Sequence, residues 1–346
     1  MRYLNTYAAL FLGAASLSLL PAGPASAASN KMTLYCSPQI EWCQLVIKEF
    51  EKETGIKVAM TRKSSGETFA QINAERKNPK GDVWWGGTGD PHLQAAEEGL
   101  TVEYKSPMLT KLRPWAQTQA KQANYKTVGI YLGALGFGYN TDLLAKKGLP
   151  EPKCWKDLAD PVYKGEVQIA NPNSSGTSYT TLATIVQLFG EEGGFDFLKK
   201  MHLNVNQYTK SGSAPIKAAA RGETTIGIVF LHDVVTQIVN GFPIKSVAPC
   251  EGTGYEIGSA SIIKGARNLE NAKKFIDWVL SPAAQKLMPQ AKAYQVPSNA
   301  SVEAPPEAPK VSQIKLIDYD FALYGSSAER KRLLAKWDKE VKALPK

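Results

Sequence analysis

Met32-Thr33-Leu34-Tyr35-Cys36 is a short apolar run that ends at Ser37-Pro38. Beyond it, Glu41 to Glu53 sets Trp42, Leu45, Val46 and Phe50 at helical spacing. Gly55 stops that pattern, and Ile56-Lys57-Val58-Ala59-Met60 reads as a second strand. A helix over about Thr68 to Lys77 and the buried-looking run Asp82-Val83-Trp84-Trp85 continue the alternation. The order β-α-β-α-β-α predicts a mostly parallel sheet covered by helices on both faces, hence an α/β fold.

Working back toward residue 1, Arg2, an apolar stretch from Ala8 to Leu20 and a small-x-small site ending at Ala27 form the three parts of a Sec signal peptide. The stretch is about 13 residues, short of the roughly 20 that span a bilayer. Residues 1–27 are therefore expected to be removed and the remainder exported. Cysteine usage agrees: four cysteines are an even number for an oxidising compartment. Of three possible pairings, Cys36–Cys43 and Cys154–Cys250 are favoured. With only three histidines in the chain, a cysteine-rich metal site is not expected.

Working forward, Val128 to Tyr139 is a long apolar strand punctuated by four glycines, read as a flexible crossover between two lobes. A second α/β unit follows through Val167 to Ala170 and Ile226 to Phe230, and the chain returns to the first unit near Cys250 to Ile263. The expected divisions are 28–133 for the first part of one lobe and 134–249 for the other. Residues 250–346 are expected to supply the return strand and C-terminal helices of the first. The formal net charge of +9 suits solubility and contact with anionic surfaces as well as a field that draws anionic solutes into a cleft, and by itself does not separate the two. The lysines are spread over helix faces, not gathered in an aromatic-studded stripe, so no nucleic acid partner is expected. Dinucleotide, P-loop, nucleophile-elbow and zincin motifs are absent, so no cofactor is expected and an enzymatic reading has no motif behind it.

The chemistry-bearing residues sit at strand-to-helix junctions. Asn171-Pro172-Asn173-Ser174-Ser175-Gly176-Thr177-Ser178 lies before a helix expected from about Thr180 to Phe189. One hydroxyl suffices for an N-cap; four around a glycine suit an anion at a helix N-terminus. Lys63-Ser64-Ser65-Gly66-Glu67-Thr68, with Arg62 beside it, and Thr209-Lys210-Ser211-Gly212-Ser213-Ala214-Pro215 are similar. Ser37 and Thr88 follow the first and third strands. His232-Asp233 follows an apolar strand, with Glu256 some 23 positions on, a set suited to acid–base work, a metal or sugar hydroxyls.

Phe50-Glu51-Lys52-Glu53-Thr54-Gly55-Ile56-Lys57-Val58, Gly81-Asp82-Val83-Trp84-Trp85, Ser174-Ser175-Gly176-Thr177, Ser211-Gly212-Ser213-Ala214-Pro215 and Ala272 to Pro282 together resemble type II periplasmic binding proteins of the ferric-binding-like branch. The resemblance spans almost the whole mature chain. It implies two α/β lobes, each a mixed, mostly parallel sheet flanked by helices, joined by two hinge strands. It also implies a monomer that closes on a small anionic ligand and docks on an inner-membrane ABC permease from the periplasm. Iron-binding members carry paired tyrosines where this chain has Leu231-His232-Asp233, a histidine where it has Gln39 and a glutamate where it has Gly87. The His-Asp pair and later glutamate look more like the sugar-phosphate-binding members. That likeness implies sugar hydroxyls held by His232, Asp233 and Glu256, and phosphate held by Ser64, Ser174, Ser175 and Thr177, with Arg62 assisting. Ser37, Ser65, Thr88 and Ser213 complete the expected ligand set. A ferric-ion receptor is the alternative.

Overall fold

The computed structural model describes Met1 and residues 30–345. From its second residue on, the segment read as a signal peptide lies outside the described residues. The opening alternation is β1 (Lys31–Cys36), α1 (Ile40–Thr54), β2 (Lys57–Arg62), α2 (Ser65–Ala74), β3 (Val83–Trp85) and α3 (Gly89–Glu97). After α4 (Pro114–Gln122) comes the long β4 (Val128–Asn140). The middle of the chain holds α5 (Thr141–Lys146), β5 (Val167–Ala170), α6 (Gly176–Phe189), α7 (Glu191–His202), β6 (Val205–Thr209), α8 (Ala214–Ala220), β7 (Ile226–Phe230), α9 (Leu231–Val239) and β8 (Ile244–Val247). The last third holds β9 (Tyr255–Ile262), α10 (Leu269–Val279), α11 (Pro282–Gln285), β10 (Val296–Pro297), α12 (Phe321–Tyr324) and α13 (Ser327–Trp337).

The strands run in the order β2-β1-β3-β9-β4-β7-β5-β6. β1 lies parallel between β2 and β3, as the βαβ reading requires, and β5 lies parallel between β6 and β7. The two parallel sets are joined through antiparallel partners. Val128 to Ala134 of β4 pairs with β9, and Leu135 to Tyr139 pairs with β7. All thirteen residues of β4 are buried. This is a two-lobed α/β molecule in which one strand belongs to both sheets. Each lobe has its own core: Leu34, Phe50, Trp85 and Phe275 in the first, and Phe137, Trp155, Tyr179 and Phe195 in the second.

Both expected disulfides are present. Cys36–Cys43 ties the end of β1 to α1, and Cys154–Cys250 closes a loop beside the second core. Three expectations need correction. The four glycines of β4 have no left-handed φ; they are places of close approach, not points of flexibility. An added Cβ at Gly133 would meet His232 Nδ1 at 2.6 Å, and one at Gly138 would meet Ile216 at 2.7 Å. The C-terminal residues do not all join the first lobe as 250–346 was read: Tyr319, Leu333, Trp337 and Val341 pack into the second core. The reason is aromatic burial, Trp337 meeting Tyr208 edge-on at 5.3 Å between centroids. Finally, α2 begins at Ser65, not Thr68, and α6 at Gly176, not Thr180. The hydroxyl residues read as loop are the caps and first turns of those helices.

Candidate functional site

Each parallel strand that ends near the middle of the molecule feeds a helix whose N-terminus turns toward the same hollow. β1 leads into α1, β2 into α2, β3 into α3, β5 into α6, β6 into α8 and β7 into α9. The six N-cap residues are Gln39, Ser64, Thr88, Ser175, Ser213 and Phe230. All six line one cavity with about 420 Å³ of space outside protein atoms, open solvent at its mouth included. Such convergence collects unbonded N–H groups and the positive ends of helix dipoles in one place, which suits an anion.

Of the twelve residues expected to contact ligand, eleven line this cavity: Ser37, Arg62, Ser64, Ser65, Thr88, Ser175, Thr177, Ser213, His232, Asp233 and Glu256. Ser174 does not. Its Oγ turns away, donating to the carbonyls of Asn171 at 3.2 Å and Lys210 at 3.0 Å, and so stiffens the loop ahead of α6. The hydroxyl lining of the cavity is built by close approach. Ser65 Oγ accepts from Thr88 N at 3.2 Å, while Thr88 Oγ1 is buried with no protein partner. A Cβ at Gly176 would fall 1.8 Å from that oxygen, so only glycine lets α6 begin here. Ser37 is committed to the wall, accepting from Trp84 Nε1 at 2.9 Å. Arg62 braces the same loop through Nε to the Pro38 carbonyl at 2.9 Å and Nη2 to the Ser37 carbonyl at 3.3 Å.

The same cavity holds an acidic cluster. His232 Nε2 lies 3.8 Å from Asp233 Oδ1 and 3.8 Å from Glu256 Oε1. Gln39 of the first lobe donates through Nε2 to Asp233 Oδ1 of the second. Burial pushes the Asp233 carboxyl up to about 7, although Lys217 and Arg62 pull against it. Burial also drives Glu256 well above the carboxylate range, with Asp233 and Asp90 adding to the rise. Burial holds His232 down to about 3, so its ring is neutral, stacked on Phe230 at 5.5 Å. Its Nδ1 has no protein partner. A neutral imidazole beside two carboxyls whose protons burial retains offers donors as well as acceptors, which suits the hydroxyls of a polyol, since each of those both donates and accepts.

The sequence reading missed Tyr131, Gln295 and Ser211 as lining residues, and gave Gln39 no part beyond replacing a histidine. Ser211 lay in a quoted loop. Tyr131 is inside an all-buried strand, where nothing in the spacing separates it from core. Gln295 stands outside any recognisable motif.

The family model for bacterial extracellular solute-binding proteins matches residues 87–324. The chain is a bacterial extracellular solute-binding protein. A Haemophilus influenzae protein, itself uncharacterized, is 50% identical to this solute-binding protein over 94% of this chain and 96% of its own. Among solved structures, the periplasmic binding protein AfuA from Actinobacillus pleuropneumoniae, with exogenous fructose-6-phosphate bound, is similar at a TM-score of 0.89. It is 48% identical and covers 91% of this chain and 99% of that one. The periplasmic binding protein P5PA is similar at a TM-score of 0.87 and 42% identity, over 90% and 99% of the two chains. The solute-binding protein described here is thus of the type II periplasmic class, as the sequence resemblance implied, with sugar-phosphate-like neighbours.

Proposed function

We propose that the protein captures a hexose phosphate, or a closely related sugar phosphate, in the periplasm and presents it to an inner-membrane ABC permease. It acts as a monomer and performs no chemistry on its cargo. The observation that carries this reading is the lining of one cavity, which brings six helix N-termini and a run of Ser and Thr hydroxyls together with His232, Asp233 and Glu256. The N-termini and hydroxyls suit a phosphoryl group, and the His-Asp-Glu set suits ring hydroxyls. The fructose-6-phosphate held by AfuA, 48% identical, supports the same ligand class. By this reading residues 28–133, 134–249 and 250–346 trace first lobe, second lobe and return, with the C-terminal stretch strapped to the second.

Capture works by closure. Ligand touching both lobes favours the closed state by the difference in contacts. Moving the balance from 1:99 to 99:1 takes about 5.5 kcal/mol, within reach of a few charge-assisted hydrogen bonds at about 1.5–3 kcal/mol each. Iron is not favoured. His232, Asp233 and Glu256 are not among groups that bring three donor atoms within 4.8 Å. Among the described residues the one such group is Cys154, Cys250 and Glu251, whose cysteines are joined as a disulfide. Calorimetry with hexose phosphates, inorganic phosphate, aminoethylphosphonate and ferric citrate tests the assignment. Tight binding confined to the hexose phosphates is expected, and no response to any phosphorylated compound would discard it.

A further inference from the structure

Next to the hydroxyl lining, but outside the cavity wall, lies a buried cation. Arg330 of α13 is 5% exposed. Its guanidinium stacks 4.5 Å above the Tyr179 ring of α6. Nη2 lies 3.5 Å from the Pro172 carbonyl, in the loop that leads to Ser175. A Cβ added at Gly66 would stand 3.0 Å from that nitrogen, and 2.7 and 2.8 Å from the carbonyl oxygens of Asn173 and Ser174. Arg330 is therefore wedged where the first turn of α2, from one lobe, meets the loop before α6, from the other. The neighbours of its contacts, Ser65 and Ser175, both line the cavity. Nη1 is buried with no protein partner.

Its counter-charge is Asp90, 1% exposed and two residues beyond the cavity-lining Thr88. Asp90 Oδ2 accepts from Tyr319 OH at 3.2 Å and Thr180 Oγ1 at 3.3 Å, and Oδ1 has no protein partner. Burial raises this carboxyl to about 6, while the Tyr319 bond, Arg330 and the Thr180 bond lower it, so it is charged at pH 8. Arg330 and Asp90 are close enough to feel each other but make no direct ion pair. A desolvated guanidinium without a paired carboxylate is costly unless its field is used.

We propose that Arg330 is a positioning residue for a doubly charged phosphate, acting through the backbone of Gly66 and Pro172 to Ser174 on the helix N-termini that receive the anion, with Asp90 setting how much of its field remains. It touches no ligand itself. The inference rests on the sugar-phosphate reading, and the test separates the two. Calorimetry at pH 8 compares a hexose 6-phosphate, a dianion, with the hexose 6-sulfate of the same ring, a monoanion. Arg330→Gln should lower the phosphate-to-sulfate affinity ratio about tenfold, and Asp90→Asn should raise it about threefold. A merely structural role would weaken both esters equally and leave the ratio where it was, which overturns the proposal. If Arg330→Gln does not fold, Asp90→Asn decides alone, since it is isosteric and removes a buried charge; an unmoved ratio overturns the proposal. Wild-type protein that binds neither ester overturns the function as well, whereas binding with unmoved ratios overturns only this role.

Discussion

Asp233 shows what the site costs the fold. Its carboxyl is 5% exposed and is raised by burial to about 7, against 3.8 for the free group. A raised carboxyl means that the folded protein holds a proton that the unfolded chain has released. Stability is then full below about pH 3.8 and falls as pH climbs toward 7, where the charged form must stay buried. Asp233→Asn removes that burden and should raise the melting temperature of ligand-free protein by about 3 °C at pH 8, with no gain at pH 4. The same change should weaken hexose phosphate binding about 10- to 100-fold, the worth of a hydrogen bond to a charged group. Equal melting temperatures at pH 8, or unchanged affinity by calorimetry, would place the burial or the ligand contact elsewhere. His232 was legible because the polar pair His232-Asp233, one residue past an apolar strand, is conspicuous, and Glu256 through its place some 23 positions on in the resemblance. The unpartnered Nδ1 of His232 and its tight seat against Gly133 were not, because they depend on β4 crossing behind α9.

At the scale of elements, the β1–α1 junction carries both a wall of the cavity and a covalent brace. Cys36 and Cys43 enclose Ser37, Pro38 and Gln39, three residues that line the site, and Arg62 grips two of their carbonyls. Opening this short loop with the double variant Cys36→Ser/Cys43→Ser should cost about 2 kcal/mol of stability. It should also weaken ligand binding, because Gln39 then loses its fixed approach to Asp233. A denaturant titration read beside calorimetry checks both; a stability loss with full affinity would show that Arg62 alone suffices to hold the junction. Such junctions were the most readable part of the chain. Ser64-Ser65-Gly66 and Ser175-Gly176-Thr177 carry the chemistry of caps, and caps are local. The true helix starts were misread because a cap and the loop before it share one vocabulary of Ser, Thr and Gly. Ser174 illustrates the limit: its neighbour faces the cavity while its own hydroxyl closes a turn.

For the whole molecule, the contacts between the lobes include Gln39 to Asp233, Thr180 Oγ1 to Asp90 Oδ2 at 3.3 Å, Lys210–Glu67 at 2.9 Å, Ser64 Oγ to the Lys210 carbonyl at 3.4 Å and Thr236 Oγ1 to the Lys292 carbonyl at 2.9 Å. The Lys210 side chain is 81% exposed, so that pair is screened and weak. Permanent cohesion comes instead from β4, buried along its length and paired in both sheets. Scanning calorimetry should therefore record a single unfolding transition that moves upward as a unit when hexose phosphate is added. Two separate peaks, one insensitive to ligand, would contradict the shared strand. Here the sequence spoke least. The alternation of strands and helices announced two α/β units, but the packing of Tyr319 to Val341 onto the second core depends on contacts between residues far apart along the chain. The doubled role of β4 has a practical outcome. If the single transition is recorded, neither half melts by itself, and a dye or tryptophan signal from anywhere in the molecule then reports occupancy of the cleft. A library of candidate metabolites can then be ranked by one heating curve per well.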